Sequence, residues 1–302
     1  MRKWFTRAAW LAACLVLAVA GFFAFAWFKS ESDMARVYAV QDPPLRLKGD
    51  EAELARGAHL YRVGGCVECH GEGGAGKVFI DAGPVARVVA PNLTPAVLAP
   101  RYDADAIGVA IRHGLDPSGR PLRIMPSGDF MNLSDADTAA LVAYLQSLPD
   151  SDNDPGATEI RLMGRVLYVL GKLHLVPAAD IDHAPRERAA VPPAATAEYG
   201  AYLAQVCTGC HGADWAGQRV PGTPPELPAA ANLTPHANGL AGWSQADFER
   251  ALRHGQRPDG SQIHPFMPWG AYGAMTDTEV SALWQHLSAL PPKPGQPKPK
   301  KA

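Results

Sequence analysis

The chain is 302 residues long, with a formal net charge of -2, 47 % hydrophobic and 19 % charged residues. That length predicts about two domains with packed cores, and with no basic cluster interleaved with aromatics it excludes a nucleic-acid binder. Pro (28) and Gly (29) are abundant, which predicts loop-rich domains with short helices; the five Cys, at 14, 66, 69, 207 and 210, split into two CxxC pairs plus one and do not form a disulfide framework.

In chain order, Arg2, Lys3 and Arg7 precede an uncharged run from Ala8 to Phe28. As a helix its 21 residues would be about 31 Å long, enough to cross a bilayer's hydrocarbon core. Trp4, Trp10 and Trp27 sit near its ends, as in an aromatic belt. The leading basic residues predict the N-terminus inside and the rest of the chain outside, with membrane lipid contacted through residues 8–28. A cleaved signal peptide is the rival, because Ala24-Phe25-Ala26 resembles a cleavage site, but the run is long for one. Leu11-Ala12-Ala13-Cys14 also imitates a lipoprotein box, yet only six residues separate Arg7 from Cys14, so Cys14 reads as part of the anchor.

An internal repeat follows. Cys66-Val67-Glu68-Cys69-His70-Gly71 matches Cys207-Thr208-Gly209-Cys210-His211-Gly212 at an offset of 141 residues. Asn92-Leu93-Thr94-Pro95, Arg112-His113-Gly114, Met125-Pro126 and Leu148-Pro149 recur, in order, at offsets of 140 to 142. Two copies of one domain follow, each long enough for its own core. Glu51–Arg62 and Thr196–Gln205 predict helices running into each CxxCH, and Ser134–Leu148 and Thr276–Leu290 predict capped closing helices. A further helix per copy is expected near 104–112 and 244–253, and no sustained strand pattern is visible. The predicted organisation is an anchor over 1–35, domain 1 over 36–150, a linker over 151–195, domain 2 over 196–291 and a disordered Pro/Lys tail over 292–302. Inside the linker, Ile160, Met163, Val166, Leu167, Leu170 and Leu173 form a helical apolar stripe, expected to pack on the chain's own domains, with docking to a partner or a membrane surface as the sharper alternative.

CxxCH is the c-type haem attachment pattern. Two thiols three positions apart, Cys66 with Cys69 and Cys207 with Cys210, reach the two vinyl groups of one haem, and the next residue, His70 or His211, supplies an imidazole to its iron. A zinc site would need four ligands and a redox dithiol a βαβ context. For the sixth ligand, Met125 lies 55 residues after His70 and Met267 lies 56 after His211, and thioether sulfur is a soft ligand that raises haem potential. Met131 and Met275 compete, and His113 with His254, in Arg-His-Gly turns expected to be exposed, would allow bis-His haems.

On these motifs each copy resembles a class I cytochrome c domain, and the whole resembles the cytochrome c subunits of bacterial membrane-bound alcohol and gluconate dehydrogenases. The resemblance covers residues 51–149 and 196–291 and includes Asn-Leu-Thr-Pro, the Trp243–Phe248 segment and Tyr144–Pro149. It implies an all-α fold of tandem class I domains behind one transmembrane helix, two covalent haem c groups, and electron transfer on the periplasmic side of a bacterial inner membrane. A dehydrogenase catalytic subunit or an oxidase, with other redox proteins, is the implied partner, and two departures matter: the dehydrogenase cytochromes often carry three haems, while an N-terminal anchor is more like the dihaem subunit of cbb3-type oxidases. The fold also implies that first and last helices cross at Gly57 with Tyr144, and at Gly200 with Trp284, and that 91–94 and 231–234 wall the haem or hold its propionates. Asn92 and Asn232 also fit glycosylation sequons, with use inside a haem loop preferred. A dihaem peroxidase-type enzyme is the alternative, with a haem sensor behind it. A thiosulfate dehydrogenase would need a further Cys in the soluble part. His59, His174 and His183 read as surface or linker residues.

Overall fold

In the computed structural model, which describes residues 2–224 and 226–295, the chain is mostly helical with one small sheet. Helix α1 (Arg2–Met34) runs 33 residues and carries the uncharged stretch; it is long and apolar enough to cross a membrane. Residues 36–50 then run extended along the first copy. Leu45 and Leu47 pack on its core, and the Leu45 backbone N–H donates to Asp105 at 2.8 Å.

The first copy comprises α2 (Glu51–Val63), α3 (Cys66–His70), α4 (Pro95–Leu98), α5 (Ala104–His113) and α6 (Asp135–Ser147). Polar caps start three of these helices: Asp50, Asp103 and Ser134 each accept the backbone N–H of the third helical residue. Helices α2 and α6 cross tightly at Gly57, where a Cβ would meet the Ala140 carbonyl oxygen at 2.0 Å and the Tyr144 Cβ at 2.6 Å. Leu60, Tyr61, Ile107, Leu141, Val142 and Leu145 are buried around this crossing. Each fully buried aliphatic side chain contributes about 1.5–3 kcal/mol.

The second copy repeats the plan with α8 (Ala197–Leu203), α9 (Thr208–His211), α10 (Gln245–His254), α11 (Trp269–Tyr272) and α12 (Asp277–Ser288). Capping boxes start α10 at Ser244 with Asp247 and α12 at Thr276 with Glu279. Its crossing centres on Gly200, where a Cβ would meet the Ala282 carbonyl oxygen at 1.9 Å and the His286 Cβ at 2.8 Å. His286, not the expected Trp284, therefore faces Gly200; Trp284 packs on Phe248, with ring centroids 5.7 Å apart. The two positions are two residues apart, about 200° around the helix axis, so they cannot both face the same neighbour.

A three-stranded antiparallel sheet, unforeseen from the sequence, joins β1 (Lys77–Asp81), β2 (Ala86–Ala90) and β3 (Glu159–Ile160). No alternation announces it because all five β1 positions are exposed. After β3, α7 (Leu162–Val169) packs against the end of α1, and Met34, Ile160, Leu175 and Val176 form a small third core. Of the expected helical stripe, Ile160 lies on β3 instead; Ile160 and Val166 are buried and Leu167 and Leu173 half-buried within the chain, while Met163 and Leu170 are exposed. Of the tail, Lys293 and Gly295 hydrogen-bond to Thr234 and Asn238, so the chain is held to that point; the expected disorder of 296–302 lies outside the described residues.

The halves clasp each other reciprocally. His59 on α2 contacts Glu279 at the start of α12 (2.8 Å), and Tyr202 on α8 donates to Asp137 at the start of α6 (2.6 Å). His59 matches Tyr202 under the repeat, and Asp137 matches Glu279. A contact and its mirror made by matched residues are the mark of an approximate two-fold relation. Arg56 ties the centre together, pairing with Asp137 at 2.8 Å and Glu279 at 3.3 Å. His59, read from sequence as a bland surface residue, is part of this clasp.

Candidate functional site

Each CxxCH lies on a short helical turn that brings its two thiols to one side. All four thiols are unpaired in disulfides. Burial, then the neighbouring Cys69, pushes Cys66 up to about 12; burial, then Asp129, does the same to Cys207.

The histidines that follow are oriented identically. His70 Nδ1 lies 2.9 Å from the Pro91 carbonyl oxygen and His211 Nδ1 lies 2.7 Å from that of Ala231. A carbonyl only accepts, so Nδ1 carries the proton and Nε2 holds the free lone pair, the ligand-ready tautomer. Burial lowers the pKa of both rings, which favours the neutral form.

The loop supplying that carbonyl is itself locked. Asn92 Oδ1 accepts from the Thr94 N–H (2.8 Å) and hydroxyl (2.7 Å), and Asn232 does the same for Thr234 (both 2.8 Å). Their Nδ2 groups donate to the chain leaving each closing helix, at Ser151 and Asn153 or at Lys293. Asn92 and Asn232 are buried, so these sequons are structural clamps.

The Met-Pro segments also match. Pro126 has φ -80°, ψ 55° and Pro268 φ -79°, ψ 55°. The Ser127 N–H donates to the Met125 carbonyl and the Trp269 N–H to that of Met267, both at 2.8 Å, so each Met heads an inverse γ-turn. Ile124, just before Met125, sits at φ +68°, a strained value for a β-branched residue and one that clusters at functional sites.

Of the competitors, Met275 is buried in the second core, while Met131 is half-buried, its backbone carbonyl accepting from Arg188 at 2.6 Å. His113, expected in an exposed turn, is fully buried: its Nε2 lies 2.9 Å from Asp42 and its Nδ1 3.0 Å from His183. The segment 36–50, which carries Asp42, covers it, and His183 is a cluster member rather than a bland linker residue. His254 is exposed as expected, and the expected surface residue His174 pairs with Asp180 at 2.7 Å.

These residues fit a covalently attached haem. A thioether paired with a neutral imidazole would be a donor pair suited to iron. Beside the Met267 turn, the Trp269 indole N–H is buried without a hydrogen-bond partner, a donor that suits a haem carboxylate. A Cβ on Gly255 would strike this indole at 2.7 Å, so Gly255 makes its space.

Two residues near the sites were not legible in the motifs. Asp129, four residues after Met125, accepts the backbone N–H of Gly209 inside the second CxxCH; burial pushes it up to about 7 against that hydrogen bond. Tyr272, five residues after Met267, is raised by burial and then by Cys207, Cys210, Asp129 and Glu68, which sets it between the two motifs. Each Met-bearing loop thus reaches the other half, and Ala271 joins the core of the first copy. Only the spacing after Met-Pro hints at either residue.

The chain is similar in sequence to several cytochrome subunits. A fructose dehydrogenase cytochrome subunit of Gluconobacter japonicus is 34 % identical over 33 % of the chain and 22 % of its own length. A quinone-dependent alcohol dehydrogenase cytochrome c subunit of Gluconacetobacter polyoxogenes is 33 % identical over 31 % and 21 %. A dihaem cytochrome c-type protein of Cereibacter sphaeroides is 37 % identical over 20 % and 21 %. The matches span about a fifth of each relative's length. The Cytochrome c family profile matches residues 54–149 and 197–291, the two helical copies described above; the chain therefore belongs to the cytochrome c family, binds haem c covalently and serves electron transfer.

Proposed function

We propose that the chain is a two-haem electron carrier, anchored in a bacterial inner membrane with its domains (36–150 and 196–291, joined by 151–195) in the periplasm, serving as the cytochrome subunit of a dehydrogenase. The observation that carries it is the duplicated site: one carbonyl-oriented histidine and one Met-Pro turn per copy, in halves clasped face to face. In this reading Cys66, Cys69, His70 and Met125 hold one haem, and Cys207, Cys210, His211 and Met267 the other. Each haem would supply one-electron exchange between ferric and ferrous iron. The protein's part is to exclude water, fix the imidazole tautomer and hold the thioether, which leaves no open position for substrate. The relatives' roles as dehydrogenase cytochrome subunits support the choice of partner. Retention of the anchor is supported by Ala26, within the candidate cleavage site, which is fully buried on the helix that packs against α7.

Mild detergent extraction from native membranes tests the partner. A dehydrogenase catalytic subunit should co-purify; a haem–copper oxidase subunit instead would reverse the direction of flow, making this chain a donor to oxygen reduction.

A further inference from the structure

We propose that the first turn of α7 and the neighbouring β1 strand form a seat that rests on the lipid surface of the membrane crossed by α1. The inference rests on the anchoring reading.

Arg165 fixes α7 beside the last turns of α1. Its guanidinium lies 3.9 Å from the centroid of the Trp27 ring and donates to Ser30 (2.8 Å), Glu31 (2.5 Å) and the Ile160 carbonyl (3.2 Å). One turn on, Tyr168 donates to Asp33 at 2.7 Å. Moving from Arg165 to Tyr168 therefore follows α1 from Trp27 towards Asp33, away from its uncharged run. Leu162 and Met163 lie on the other side of Arg165, at the level where that run ends, about 3–4.5 Å further back along the axis. They are 44 % and 41 % exposed, and β1 adds Val78, Phe79 and Ile80 at 42–45 %. Arg161 binds the two elements, donating to Asp81 at 3.0 Å and to the Gly83 carbonyl.

An edge strand with three consecutive exposed apolar residues is an aggregation hazard in water unless something covers it. Lipid is the occupant the structure favours, because Leu162 and Met163 lie within one turn of Arg165, which stacks on Trp27 at the end of the apolar run of α1, and Arg161 ties β1 to that turn. A seat there also orients the haem residues: β1 begins seven residues after His70, and the Gly76 N–H donates to the His70 carbonyl at 2.9 Å. The first copy would then face the membrane.

The test uses the full-length, haem-loaded chain in phosphatidylcholine nanodiscs containing a photoreactive phosphatidylcholine, with labelled peptides identified by mass spectrometry. Lipid should label α1 and also residues 78–80 and 161–164. Leu162→Glu with Met163→Glu should abolish label at 161–164 while α1 stays labelled and the haem spectrum is unchanged. Label confined to α1 would overturn the seat while leaving the anchor intact. No label on either would overturn both.

Discussion

At the scale of single residues, the attachment motifs and the Met-Pro pairs were legible because their chemistry is local: thiol spacing, an adjacent imidazole and a repeated thioether. Met125→Ala and Met267→Ala should each lower one haem's midpoint potential by a sizeable part of the roughly 0.8 V that axial ligands span, with the haem still attached. Optical redox titration checks this, and a Met-to-iron absorption band surviving both changes would refute the assignment. Asp129 was not legible, because its meaning comes from a loop 80 residues from the motif it touches. Its carboxylate stands beside the second attachment site, with no cation partner among the described residues. At about pH 8, where it is ionised, Asp129→Asn should raise the potential of the second haem more than that of the first. Equal shifts, or none, would contradict this placement.

At the scale of elements, helices announced themselves through caps and periodicity, while the sheet stayed hidden because β1 buries neither face. The Gly57 crossing was readable because the repeat aligns it with Gly200, yet its partner in the second copy was misjudged by two positions, a shift that rotates a helical side chain to another face. Gly57→Leu would force the backbones of α2 and α6 apart, at a cost of about 1–3 kcal/mol or more. Haem-loaded yield should fall; normal yield would show that the crossing tolerates a side chain. The buried Asp42–His113 contact could not be foreseen, since residues 36–50 carry no helical or strand pattern.

At the scale of the whole molecule, the repeat predicted two domains but not how they meet. The clasp depends on Glu279. Burial opposes its ionisation, but His59, the Thr276 N–H and Arg56 outweigh that and hold its carboxyl at about 2. A carboxyl whose folded pKa lies below its unfolded value adds stability that is present above the unfolded value and lost as pH falls towards the folded one. Thermal stability should therefore hold from neutral pH down to about 4.5 and fall between there and about 2. Glu279→Gln should lower stability at neutral pH and remove this acid-dependent component. Calorimetry across that range decides, and an acid profile identical in the variant would show that the clasp contributes nothing.

The most direct test of the central claim is a potentiometric titration of the purified full-length chain, followed by its haem absorption, with carbon monoxide then added to the reduced protein. The account predicts two one-electron transitions of equal amplitude and no carbon monoxide binding at either iron. A single transition, or a reduced haem that takes up carbon monoxide, would contradict a closed two-haem carrier and turn the reading towards an enzyme with an open iron.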